Sequence, residues 1–171
     1  MLQLNREVWQ PPPQTTYKLN FDAAVFSGLN RSGFGAIIRN DKGEVMVAMT
    51  TSGPKVITSD EAEMLACRRA LEFVVDASFS RLIIEGDNVN VIQAISSPLA
   101  NNSLIGNVVD DIRHLIQGLQ WASICCMRRG GNKVAHALAQ HARNTLDDDL
   151  YWMEDSPPLA MEALYQDTLL I

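Results

Sequence analysis

Cysteine is scarce in this chain. Cys67, Cys125 and Cys126 are all it holds, an odd number with two of them adjacent. No Cys-x-x-Cys pair occurs, which argues against a thiolate zinc site or a disulfide framework. The three read as small buried apolar residues of a reducing compartment. Long hydrophobic runs are missing too: nothing approaches the ~20 apolar residues that cross a bilayer, so no membrane partner is expected. Met1 to Pro13 has neither a signal-peptide apolar core nor an Arg/Ser-rich transit pattern. A cytoplasmic or nuclear location is the expectation. Positive charge is in deficit, with a formal net charge of −6, which counts against a broad basic surface for nucleic acid. Cations are confined to local clusters, Arg68 with Arg69, and Arg128, Arg129 with Lys133. Acids crowd the C-terminal end at Asp147, Asp148, Asp149, Glu154 and Asp155. No internal repeat is present.

The chain has 171 residues, 47% of them apolar and 20% charged, which suits one globular domain with a sizeable core. Residues 1–16, with Pro11-Pro12-Pro13, read as an extended Pro-rich leader. Residues 17–143 read as the folded domain and 144–171 as an acidic C-terminal tail. The tail's Leu159, Met161, Leu164, Leu169 and Leu170 could pack on the domain or dock elsewhere. Strand patterns span 17–26, 33–39 and 44–51, the last two joined by Asn40-Asp41-Lys42-Gly43, strong hairpin chemistry. Gly33 and Gly35 mark a bend or a place where another backbone comes close. The period then becomes helical. Thr58 to Glu61 is a capping-box pattern, followed by a stripe at Ala62, Leu65, Ala66, Ala70, Leu71, Val74 and Val75. A short buried strand at 81–86 ends before Asp87. Helical patterns follow at 87–95 and 103–119. A continuous apolar strand at 122–127 is expected to be buried on both faces, and Asn132 to cap a helix reaching about Arg143. The order β-β-β-α-β-α-α-β-α predicts an α/β fold with a mixed sheet: an antiparallel meander, then strands added by helical crossovers.

Three acids interrupt these apolar patterns. Asp22 stands inside the first strand, "KLNFDAAVF", on a face with Lys18, Asn20 and Ala24; taken alone, that face reads as solvent-exposed before it reads as a site. Glu63 borders the buried stripe of the first helix, as an edge residue with its head in water or as a ligand. Asp87 ends a buried strand, where α/β sheets place their ligand sites, or caps the next helix. If the first strand, first helix and fourth strand are neighbours, the three carboxylates converge. Such a cluster is tolerable when hard divalent cations neutralise it, and all-oxygen ligands suit Mg2+ or Mn2+. Two such ions about 4 Å apart activate water and stabilise the leaving oxygen of a phosphodiester.

"NFDAA", "SDEAEMLACRRAL", "RLIIEGDN" and "GNKVAHALAQHA", in this order, resemble the ribonuclease H type 1 domain over about residues 17–143. The nearest likeness is to the branch found in plant proteins and non-LTR retrotransposons, and "YWMEDSPP" in the tail is similar to that branch too. The resemblance implies a ribonuclease H-like fold with a five-stranded mixed sheet and flanking helices. It implies hydrolysis of the RNA strand of RNA–DNA hybrids by a monomer using two Mg2+ ions, with Mn2+ as a substitute. Asp22, Glu63 and Asp87 match the family's metal ligands, at separations of 41 and 24 residues, with Asp22 bridging both ions. Thr58 is either a phosphate-holding residue or a plain cap. Asn88, Arg128, Arg129, Asn132 and Lys133 are the expected nucleic-acid contacts, together with the loop Ser27 to Arg31.

The chain departs from the family pattern in places. His136 stands where a fourth carboxylate is usual, either orienting a metal-bound water as a catalytic residue or lying on the surface. Cys126 stands where many members have a loop histidine, so a proton shuttle is missing and slower product release is expected. Asp22-Ala23 replaces the more usual Asp-Gly. No separate basic helix is present, so weaker grip on phosphates is expected. A non-catalytic binding module and a DNA-cutting relative of the same superfamily are the competing readings.

Overall fold

The computed structural model describes residues 8–97, 105–145 and 149–169. Strand β1 (Tyr17–Phe26) passes through a 3-10 turn at Ser27–Leu29 and returns as β2 (Arg31–Arg39). The Asn40–Gly43 turn leads into β3 (Val45–Gly53). Its side-chain lock is Asn40 Oδ1, which accepts the N–H groups of Lys42 and Glu44 at 2.9 Å, and Gly43 takes the positive φ of 78° that closes it. Both pairings are antiparallel. Helix α1 (Ser59–Asp76) follows, capped by Thr58, whose hydroxyl accepts the Glu61 N–H at 3.1 Å. Strand β4 (Arg81–Gly86) and helices α2 (Val89–Ser96) and α3 (Gly106–Gln117) come next. Strand β5 (Trp121–Cys126), helix α4 (Lys133–His141), strand β6 (Leu150–Met153) and helix α5 (Met161–Thr168) complete the order. The expectations that rest on residues 1–7, 103, 104, 147, 148 and 170 lie outside the described residues.

The mixed sheet runs β5-β4-β1-β2-β3-β6, with β1, β4 and β5 parallel and the rest antiparallel. It has six strands where five were expected. The extra one lies in the acidic tail and pairs with β3 from Val47–Met153 to Thr50–Leu150. The tail then returns as α5, where Ala160 and Leu164 join Ile37, Val45, Ala48, Val134 and Leu138 in a core on one face of the sheet. The larger core lies on the other face, where Leu19, Phe21, Ile38, Met49 and Ile84 meet Met64, Leu71 and Val74 of α1 and Val109 and Ile112 of α3. The leader's Trp9 is 1% exposed and its ring lies 3.8 Å from the Arg39 guanidinium. Arg39 in turn pairs with Asp167 of α5 at 2.7 Å, both side chains buried.

Two sequence expectations fail for one reason, position in the sheet. β5 is apolar but sits at an edge, so its residues are half-buried or exposed, not covered on both faces. Its Cys126 is therefore exposed and Cys125 half-buried; Cys67, on α1, is the buried one.

Gly33 and Gly35 set the position of α4. They pair with Ala24 and Asp22 across β1–β2, so they share the face that α4 covers. A Cβ on Gly35 would stand 2.4 Å from the Ala135 carbonyl oxygen and the Ala139 nitrogen; one on Gly33 would stand 2.5 Å from the Ala139 carbonyl oxygen. The helix lies on bare backbone there, as the glycine pattern anticipates. Gly35→Ala is expected to push α4 off the sheet at a cost of about 1–3 kcal/mol in urea denaturation.

Candidate active site

The register of two strands brings the carboxylates level. β1 and β4 run parallel with Asn20 opposite Glu85, the last pair of that ladder. Asp22 and Asp87 each lie two residues further, where β4 has ended and β1 continues. The gap leaves the Ala23 N–H to a side chain, and Glu63 of α1 takes it on Oε1 at 3.0 Å. One oxygen from each of Asp22, Glu63 and Asp87 lies within 4.8 Å of the others. Asp22 is fully buried and Glu63 is 7% exposed. The open alternatives thus resolve: the face carrying Asp22 lies under α4, and Glu63 does not keep its head in water. Asp87 does not cap α2; Asn88 does, accepting the Val91 N–H at 3.2 Å.

Asp22 Oδ1, Glu63 Oε2 and Asp87 Oδ2 are buried and accept no hydrogen bond. Such oxygens are costly to bury unless something neutralises them. Burial pushes the Glu63 carboxyl up to about 10, and the neighbouring Asp22 carboxylate adds to the push, against the Ala23 N–H. Burial, then the Asp22 charge, raises Asp87, partly offset by Arg129 and His136. Without a cation, a proton on Glu63 holds the cluster together near neutral pH. The three unpaired oxygens, all hard donors, fit a divalent cation in the proton's place.

Helix α4 brings His136 to the same point, its Nδ1 2.8 Å from Asp22 Oδ2. Arg129 reaches across the mouth, with Nε 3.4 Å from Asp87 Oδ2 and one terminal nitrogen 3.3 Å from His136 Nδ1. Glu63, Asp87, Asn88 and Arg129 share a cleft with Ser59 and Asp60. Asn88 Nδ2 donates to Asp60 Oδ1 at 2.8 Å on its rim. Thr58 caps α1 beside it, its hydroxyl engaged by the Glu61 N–H. Arg128 and Lys133 are exposed, Lys133 donating to Gln166 Oε1 at 3.3 Å. In the loop after β1, Ser27 to Asn30 are exposed, but Arg31 spends its guanidinium on the carbonyls of Arg143 and Thr145.

Asn132 is the clear correction. It was expected to cap α4 with its side chain and to touch nucleic acid, yet it is 1% exposed and makes no side-chain cap. Its Nδ2 donates to the Phe21 carbonyl at 2.9 Å, one residue before Asp22, and its Oδ1 accepts from Asn20 at 3.2 Å. Asn20 also donates to Glu85 Oε2 at 3.1 Å and accepts the Trp9 indole N–H at 3.0 Å. Lys18 closes the chain with Glu85 Oε1 at 3.0 Å. This buried polar network ties the start of the His136 helix to the strand of Asp22. The sequence signal for it was the run of polar residues at alternate positions, Lys18, Asn20 and Asp22, with Glu85 in an apolar strand.

Two outcomes are expected. The folded protein keeps a proton on Glu63 that the unfolded chain, at an ordinary 4.5, sheds. Its contribution to stability is complete below that value and is lost as pH climbs toward the folded value. The melting temperature of metal-free protein should therefore fall as pH rises from about 5 to about 9, and Glu63→Gln should flatten the fall. Asn132→Leu strands the Phe21 carbonyl and the Asn20 amide, and should cost ~1–3 kcal/mol in denaturant titration.

Comparison with known proteins follows this geometry. The model of the reverse transcriptase-like family matches residues 20–142. Among curated proteins none matches. RNase H1 from the halophilic archaeon Halobacterium salinarum superposes with a TM-score of 0.69 at 23% identity, covering 75% of this chain and 98% of that one. The N-terminal RNase H domain of a Mycobacterium tuberculosis protein, solved as a maltose-binding protein fusion, gives 0.65 at 16% identity over 90% and 98%. LC11-RNase H1, solved in complex with an RNA/DNA hybrid, gives 0.66 at 16% identity over 75% and 97%. The chain belongs to the reverse transcriptase-like family and carries its ribonuclease H fold.

Proposed function

We propose that this chain is a metal-dependent endonuclease that hydrolyses the RNA strand of RNA–DNA hybrids. The observation that carries the reading is the convergence of Asp22, Glu63 and Asp87 within 4.8 Å, with an unpaired buried oxygen on each. The complex of the similar LC11 enzyme points to the hybrid as substrate. Asp22, Glu63 and Asp87 would hold Mg2+, two ions by the resemblance, or Mn2+. Bound there, the metal supplies activation of water and stabilisation of the leaving oxygen.

The chain's own residues do the rest. Asp22 is central, reached by Glu63 on one side and His136 on the other. His136 fixes one Asp22 oxygen through Nδ1, which leaves its other ring nitrogen to hold or pass a proton. Thr58, at the N-terminus of α1, and Asn88 at the rim lie where a backbone phosphate would rest against free helix N–H groups. Arg129 supplies positive charge at the cleft, and the exposed Arg128 and Lys133 would extend it toward the duplex. A hybrid is read by groove shape and 2′-hydroxyls, which few side chains suffice to do.

One observation favours a second reading, a binding module without catalysis. His136 already occupies an Asp22 oxygen at the place of the usual fourth acid, and Cys126 stands where a shuttle histidine is common. Cleavage of a strand-labelled hybrid separates the two. The nuclease should cut only the RNA strand, only with Mg2+ or Mn2+, and Asp22→Asn should lose activity by at least ~100-fold. No cutting in either metal by folded protein that still binds the hybrid would favour the binding module.

A further inference from the structure

Arg129 reaches two groups of the site at once. Its Nε lies 3.4 Å from Asp87 Oδ2, and a terminal nitrogen lies 3.3 Å from His136 Nδ1. It lines the cleft beside Glu63 and Asp87. Yet Asp87 Oδ2 receives no hydrogen bond, so Arg129 balances that oxygen by charge without saturating it. The Arg129 side chain is 65% exposed and the Asp87 side chain 10%. The acid is fixed in the wall, and the guanidinium is a long arm at the mouth. A cation on Asp87 Oδ2 would meet a second positive charge at the same oxygen, which costs free energy at such range. A phosphate at the mouth offers Arg129 a bidentate partner, the geometry that a guanidinium fits best.

We propose that Arg129 is a transferable counter-ion: it sits on Asp87 in the free protein and moves to a backbone phosphate of bound nucleic acid, so that nucleic acid and metal each strengthen the other's binding. The proposal rests on the metal centre put forward above. The coupling is reciprocal by thermodynamic necessity. An ion pair this exposed contributes at most ~1 kcal/mol, so its release is worth a factor of about 2–5.

The test is calorimetric titration of Mn2+ into the full chain, alone and with a 2′-O-methyl-RNA–DNA duplex that resists cleavage. Wild type is compared with Arg129→Gln and with Lys55→Gln, which removes one positive charge from the exposed segment before α1. Both sites are exposed, and melting temperatures check that the variants fold. Without duplex, Arg129→Gln should bind Mn2+ about 2–5-fold more tightly than wild type. The enhancement produced by the duplex should shrink by the same factor, as the closed cycle requires. Lys55→Gln should retain the wild-type enhancement. Equal behaviour of the two variants would reduce the effect to long-range charge and overturn the proposal. So would an Arg129→Gln affinity equal to that of wild type. Absence of Mn2+ binding in every protein would overturn the metal centre itself, a different and recognisable failure.

Discussion

Three carboxylates facing one another within 4.8 Å repel by ~3–4 kcal/mol per ionised pair at an effective dielectric near 20. The fold's architecture forces that contact. Asp22 and Asp87 extend from the ends of a parallel ladder packed on one face by the larger apolar core and on the other by the buried polar network of Lys18, Asn20, Glu85 and Asn132. Glu63 is carried by a helix whose Met64, Ala66, Cys67, Ala70, Leu71 and Val74 are sealed against the sheet. None of these elements can withdraw without opening a core, so the acids are held and only their charge can yield. Burial and the Asp22 charge favour a proton on Glu63, and a divalent cation bound there would displace it.

The fourth wall depends on missing atoms. Without side chains at Gly33 and Gly35, the backbone of α4 lies directly on β2, and the small residues Ala135, Ala139 and Ala142 complete the contact. Thr50 reaches up to the Leu138 carbonyl at 3.0 Å and Asn132 holds the other end of the helix to β1. His136 meets Asp22 because three independent restraints fix the helix that carries it. The network behind Asn132 runs outside the family match, to Lys18 and Trp9. The leader is thereby part of the support of the site.

The order of elements, the meander and the three acids were legible in the sequence, because each rests on local chemistry: period, caps, turn residues and spacing. What was not legible depends on partners far away in the chain. The face of β1 that carries Lys18, Asn20 and Asp22 reads as solvent-facing because alternation reveals two faces but not which one is covered. Its cover comes from Glu85, Asn132 and Trp9, 65, 112 and 11 residues from Asn20. β6 hid in an acidic tail because its four residues join the sheet through backbone pairing with β3. β5 misled in the opposite direction, since an apolar strand says nothing of whether it is central or at an edge. Asn132 looked like a cap because it precedes a helix, and its side chain turns inward instead.

The charge balance of the proposed centre follows from its two departures. An imidazole in place of a fourth carboxylate removes one negative charge, and Arg129 on Asp87 adds a positive one. Two divalent cations facing three carboxylates would exceed the local negative charge before any substrate arrives. A bound hybrid would supply the missing negative charge: its phosphates would draw Arg129 away from Asp87 and add their own charge beside the metal. A protein with a net charge of −6 and no basic helix among the described residues has weak long-range attraction for nucleic acid. In the proposed nuclease the metal centre would then contribute to binding as well as to chemistry. The same economy of positive charge that argues against a broad nucleic-acid surface would place the grip on the substrate at the proposed centre itself.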